Sequence, residues 1–252
     1  MGITFFNDQE FLTKGLVLNL SFPDISEASR ELETALDFER IYLETGEIVL
    51  HNDTLSKDLF IRLFQSDRVQ PLSDDHLVIF YLNNAARFYE LCERLKLAGA
   101  KQVTAFNPYW DDFGSTFIIA NKFRLVLCPG NYPGYRARIA APTSDLEQIK
   151  SNLIHHLGLK CIGDFESHRG FDGVMMASRA PIDCHLEFTY CHHEKLPIHY
   201  DYSHQVSFLL EEPLPDLMKP MGSYYKFDFI RPDTALARAC LSIKPIQQLG
   251  IK

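Results

Sequence analysis

The feature that most constrains this chain is a pattern repeated four times: a short apolar strand, an amphipathic helix, then returning strands. Such a unit carries one apolar face on its helix and one on its sheet, and it buries them by packing on its like. The first copy opens at Gly15 with the strand LVLNLSF, turns at Pro23-Asp24 and continues as the helix ISEASRELETALDF. Asp24 or Ser26 can cap that helix, and Ile25, Ala28, Leu32, Ala35 and Leu36 form its apolar stripe. EIVLH and DLFIRLF return as strands. The second copy opens at His76 with HLVIFYL, caps AARFYELCERLKLAG on Asn83 or Asn84, ends it at Gly99, and returns through KQVTAF, GSTFIIA and FRLVLC. The third opens near Arg136 with RARIAAP, caps on Thr143 or Ser144, and runs DLEQIKSNLIHHLG to Gly158. KCIGDF, DGVMMAS and CHLEFTY follow it. The fourth opens at His204 and is worn. Pro213, Pro215 and Pro220 oppose a long helix, leaving YKFDFI and ARACLSI as returning strands.

The densest chemistry lies in residues 184–208, CHLEFTYCHHEKLPIHYDYSHQVSF. Leu186 and Phe188 face one way and His185, Glu187 and Thr189 the other, the two-residue period of a half-buried strand. His204 opens a second alternating run. Two strands so joined can set Glu187 beside His204, and carboxylate oxygen and imidazole nitrogen are ordinary ligands of a divalent metal. The bland alternative makes Glu187 a solvated face residue and His204 a strand-end histidine. Cys184-His185 and Cys191-His192-His193 form a Cys/His patch, but neighbours on a strand point to opposite faces and do not converge on one ion without a turn. Asn107-Pro108-Tyr109-Trp110 offers an aromatic wall to a ligand or a tight turn packed on a core; Trp110 is the sole tryptophan. Gly170-Phe171-Asp172-Gly173 is too short for a phosphate loop. His155 and His156 suit the late turns of a helix by its dipole alone.

With 252 residues the chain has room for a sizeable core, and its net charge of -8 argues against nucleic acid or an anionic membrane as a partner. No apolar run approaches the ~20 residues of a membrane span. The opening MGITFFNDQEF lacks the basic and apolar regions of a secretory signal, and the six cysteines are scattered without a C-x-x-C, as in reduced thiols. The expectation is a soluble, cytoplasmic protein, monomer or homodimer.

The βαβββ repetition and several local strings resemble the vicinal oxygen chelate superfamily of glyoxalase I, extradiol dioxygenases and bleomycin-resistance proteins. The resemblance is closest to its YycE-like branch. Arg138-Ile-Ala-Ala-Pro142 with HHLGLKCIGDFESHRGFDGVMM and HLEFTYC looks like that branch's first module; HLVIFYL with FNPYWDDFGSTF and FRLVLC looks like its second. Here the second precedes the first. The resemblance implies an α+β fold in which tandem modules pair into two cupped mixed sheets. It also implies a duplicated organisation: a domain over 1–130 (modules 15–70 and 76–130) and another over 131–252 (modules 135–191 and 204–245), with pairing across the middle of the chain as the alternative. In the superfamily, metal ligands come from first and last strands of paired modules. Those positions fall here on Val17, His76, Arg138 and His204, and on Arg62, Val126, Glu187 and a residue near Ala239 or Cys240. The N-terminal cup then offers His76 opposite Arg62, and a guanidinium does not ligate a cation. The C-terminal cup offers Glu187 and His204 with Arg138 across from them. The function implied is binding of a small organic molecule without a complete metal site, with Arg138, Glu187, His204, His76 and Trp110 as ligand-binding candidates and no cofactor assigned. The alternative is a lyase, isomerase or dioxygenase in which Glu187 and His204 hold Zn²⁺, Ni²⁺, Mn²⁺ or Fe²⁺ and Glu187 also serves as catalytic base.

Overall fold

The structure is a computed structural model and describes residues 13–66, 74–193, 206–210 and 228–242. The first module is β1 (Thr13–Phe22), α1 (Ile25–Leu36), β2 (Glu39–Glu44), β3 (Glu47–Asn52) and β4 (Ser56–Gln65). The second is β5 (Leu77–Tyr81), α2 (Ala85–Ala98), β6 (Lys101–Val103), a short α3 (Tyr109–Phe113), β7 (Ser115–Ile119) and β8 (Phe123–Cys128). The third is β9 (Ala137–Pro142), α4 (Leu146–Leu157), β10 (Lys160–His168), β11 (Phe171–Ala177) and β12 (Cys184–Cys191). Residues 15–70 thus carry the βαβββ order wherever they are described.

Local signals account for the helix ends. Asp24 accepts the Ser26 amide at 2.7 Å, and Asn84 accepts those of Ala86 and Arg87. The third helix caps on Asp145, which accepts the Gln148 amide at 2.9 Å, rather than on Thr143 or Ser144. Gly99 and Gly158 close their helices in the left-handed region where glycine costs least. Asp37 takes that conformation after α1, so the first helix stops two residues early and the freed chain forms β2, a strand the sequence did not announce.

Two mixed sheets result, ordered β10-β11-β12-β9-β5-β8-β7-β6 and β14-β13-β1-β4-β3-β2, the latter including β13 (Val206–Leu210) and β14 (Asp228–Ile230). This corrects the expected module pairing. The second module pairs with the third, through antiparallel β5 and β9, and the first with the fourth, through antiparallel β1 and β13. Both sheets therefore cross the expected boundary at residue 130. Any exposed strand edge presents the same row of amides and carbonyls, so pattern alone does not choose its mate. The fourth module also departs from expectation. ARACLSI is not a strand, because Thr234 caps a helix, α5 (Ala235–Leu241), by accepting the Ala237 amide.

Strand alternation sorts the large sheet into two faces. Val78, Phe80, Leu125, Leu127, Ile139, Leu186 and Phe188 join Leu91, Leu153 and Leu32 of the helices in one core that both sheets share. Leu77, Ile79, Tyr81, Val126, Cys128 and Ala140 line the opposite, concave face, with Trp110 over them. The sheets are also tied by Asp183, whose carboxylate accepts from the Ser56 hydroxyl at 2.5 Å and from the Lys57 and Asp58 amides.

Candidate functional site

The concave face of the eight-stranded sheet carries its charge in one place. In the parallel pairing of β9 with β12, Arg138 lies opposite His185 and Ala140 opposite Glu187. The Arg138 side chain therefore reaches both acidic and imidazole neighbours. Its Nε–H donates to His185 Nε2 at 2.9 Å, and Nη1 donates to Glu187 Oε2 in a tight ion pair. Nη2 lies 3.6 Å from the Met175 sulfur. Arg138, Glu187 and His185 are 5%, 3% and 1% exposed.

Aromatic rings box the guanidinium. Its carbon stands 5.0 Å from the Tyr132 centroid, 5.5 Å from Tyr81 and 5.6 Å from Trp110, distances at which a ring face attracts a cation. Tyr132 and Tyr135 also pack against His185, at 5.0 and 4.6 Å between centroids. Burial pushes the Glu187 carboxyl above its ordinary range, with Arg138 opposing. Burial, and then Arg138, hold His185 well below its usual value, so the imidazole is neutral. Since Nε2 accepts from arginine, the ring proton belongs on Nδ1. Among the described residues, that Nδ1 and the Tyr81 hydroxyl have no hydrogen-bond partner. A buried polar atom left so costs on the order of 1–3 kcal/mol. Buried ion pairs are likewise a poor source of stability, since desolvation offsets most of their attraction.

The residues singled out in the sequence fall in different places. Arg138, Glu187 and Trp110 come together, Trp110 being 2% exposed beneath the aromatic box. His76 immediately precedes β5, whose concave-facing residues are Leu77, Ile79 and Tyr81, so alternation puts position 76 with the other face. Burial depresses the His76 pKa to about 3. Arg62 does not face it. It belongs to the six-stranded sheet and pairs bidentately with Glu47 at 2.9 and 2.7 Å. His204 lies outside the described residues; β13, which follows it, runs in the six-stranded sheet, whereas Glu187 is in the other. Ala239 and Cys240 sit on α5, not on a last strand. Sequence reasoning passed over His185, Tyr81 and Tyr132 as site residues. The two-residue alternation did put His185 on the face of Glu187, but nothing local announced that the tyrosines would meet it.

Among the described residues this donor set does not fit a divalent ion. Glu187 is occupied by a guanidinium, which repels a cation. The concave-facing residues at corresponding positions of the paired strands, Ile79 and Val126, are apolar. No three His, Cys, Asp or Glu side chains gather as a metal-holding group among the described residues. No helix there is long and apolar enough to cross a membrane.

Comparison with known proteins bears on the fold that carries this cluster. Residues 137–189 match the YycE-like N-terminal domain and residues 75–129 the YycE-like C-terminal domain. YycE of Bacillus subtilis is 42% identical over 59 residues, a match spanning 23% of this chain and 42% of YycE. A crystal structure of YycE from that organism is 21% identical, covering 48% of this chain and 92% of its own, at a TM-score of 0.41. Glyoxalase I of Zea mays has a TM-score of 0.54 at 11% identity, covering 73% of this chain and 68% of that one, which shows the fold. The fosfomycin resistance protein FosX of Mesorhizobium loti matches at a TM-score of 0.36 and 16% identity, covering 45% of this chain and 89% of its own. The fold is that of glyoxalase I, and the two matched segments are similar to the two domains of YycE-like proteins. They build the eight-stranded sheet in reversed order, the segment like the C-terminal domain coming first. Reversal leaves the cup intact, because closing it requires the two modules to be adjacent and not in a set sequence.

Proposed function

We propose that the eight-stranded cup binds a small organic molecule without a metal ion, using Arg138, Glu187 and His185 within the walls of Tyr81, Tyr132 and Trp110. The observation that carries this is the buried Arg138–Glu187 pair, kept at the cost of desolvation, beside two polar atoms without partners. An apolar concavity with a few convergent polar groups is the ordinary form of a small-molecule site. In this reading the protein acts in the cytoplasm as a monomer or homodimer, with neither nucleic acid nor membrane as partner.

Trp110 is the only tryptophan and stands 5.6 Å from the Arg138 guanidinium, so its fluorescence reports on the cup. A fragment set titrated against the protein should contain members that quench Trp110, and Arg138→Met should abolish the response. Calorimetry with Zn²⁺, Ni²⁺, Mn²⁺ and Fe²⁺ on the wild type and Glu187→Gln decides the alternative. Heat independent of Glu187 is expected. Micromolar binding lost in the variant would replace this reading with the metal-assisted lyase, isomerase or dioxygenase, and Glu187 would become a ligand with His204 as the candidate partner.

A further inference from the structure

The two partnerless atoms belong to one cluster. The Tyr81 and His185 rings are nearly parallel with centroids 6.5 Å apart, and Tyr132 lies 5.8 and 5.0 Å from them. His185 presents Nδ1–H as a donor, because Arg138 fixes Nε2 as acceptor. Tyr81 presents a hydroxyl. Both groups are neutral, and the Arg138 charge is already turned onto Glu187. A carboxylate or phosphate entering here would lose its water, meet no free cation and approach Glu187. A neutral acceptor would satisfy donors that are otherwise idle.

There is a way in. A cleft of about 410 Å³ is lined by Asp53, Lys57, Asn131, Gly134, Tyr135 and Asp183, among others. Tyr135 belongs to that lining, and its ring packs edge-on against His185. Tyr135 is thus common to cleft and cluster. Beside it, Gly134 has φ +82 with no atom within 4 Å of where a Cβ would lie, so the backbone next to Tyr135 is unhindered.

We propose, building on the binding reading above, that the ligand is an uncharged molecule bearing a carbonyl or amide oxygen. It enters past Tyr135, accepts from His185 Nδ1–H and takes the Tyr81 hydroxyl as a second anchor.

The test uses side-chain ¹⁵N NMR of the full chain, with benzamide and benzoate as matched neutral and anionic probes. Benzamide should shift the His185 Nδ1 resonance and bind about tenfold or more tightly than benzoate, whose charge would be desolvated beside Glu187. Tyr81→Phe should weaken benzamide roughly five- to tenfold yet raise the melting midpoint of the free protein, because an unsatisfied buried hydroxyl is removed. Benzoate binding as tightly as benzamide would overturn the ligand class. So would fragments that quench Trp110 while benzamide leaves His185 unmoved, with the binding reading intact. Silence of Trp110 to the whole fragment set would overturn both. A Tyr81→Phe variant that melts earlier and binds benzamide unchanged would give the hydroxyl a structural role and remove it as an anchor.

Discussion

The two sheets repeat one topology but treat their concave faces differently. Each carries an arginine–glutamate pair. In the eight-stranded sheet Arg138 and Glu187 are buried under rings, with polar atoms beside them unsatisfied. In the six-stranded sheet the Arg62 and Glu47 side chains are 28% and 19% exposed. There α5 lies on the concave side, and Leu236, Ala237 and Cys240 pack against Val17, Val49, Phe60 and Leu209. One cup has kept a polar interior; the other has been filled by its own chain. Asn19 Oδ1 lacks a partner there too among the described residues, but its amide nitrogen is bound to Ser207 and the Arg62 that lies opposite it is partly exposed. Two sheets of related strand order thus differ in what covers one face, aromatic rings over an ion pair in one and a helix in the other.

The largest expected effect tests that contrast directly. Arg138→Met strands a buried carboxylate and should cost about 3–5 kcal/mol in urea unfolding, whereas Arg62→Met should cost about 1 kcal/mol or less, since water screens its pair. Adding Glu187→Leu to Arg138→Met should recover most of the loss. Equal costs at the two arginines would erase the distinction between the cups.

A smaller effect concerns the filled cup. Leu236→Ala opens a void under α5 and should destabilise by about 2–3 kcal/mol, toward the low end for such truncations because the helix lies near the surface. Trp110 quenching by fragments should be unchanged, since that residue belongs to the other sheet. Lost quenching in a folded Leu236→Ala protein would mean that the cups are coupled.

The smallest effect is on pH. His76 titrates near 3 when folded and about 6.5 when unfolded, so its neutral burial contributes stability that is full above pH 6.5 and is lost as pH falls toward 3. The loss should be about 1.4 kcal/mol at pH 5.5 and steepen below, and His76→Gln should flatten that acid limb. His51 in the six-stranded sheet is also lowered by burial, but its bond to the Lys57 carbonyl opposes the shift. His51→Gln should therefore flatten the limb less. The reverse order would show that the six-stranded sheet is the more tightly sealed.

Much of this molecule was legible in its residues. The alternation in CHLEFTY put Glu187 and His185 on one face and Leu186 and Phe188 on the other, and the core has Leu186 and Phe188. Asp24, Asn84, Gly99 and Gly158 marked helix ends that the structure has. These signals are local, acting over a few residues through side-chain geometry and backbone caps. The mating of modules was not legible, because hydrogen bonds between strand edges are made by backbone groups common to all residues. The conversion of ARACLSI into a helix was missed for a related reason. Its apolar residues suit either period, and burial of Leu236, Ala237 and Cys240 against a particular sheet chose the helix. The candidate site hung on the same long-range choice. Sequence alternation alone put His185 and Glu187 on one strand face, and the family resemblance set Arg138 across from Glu187. Only the tertiary structure decided that Tyr81 and Trp110 of the second module, and Tyr132 of the connecting loop, would close around them.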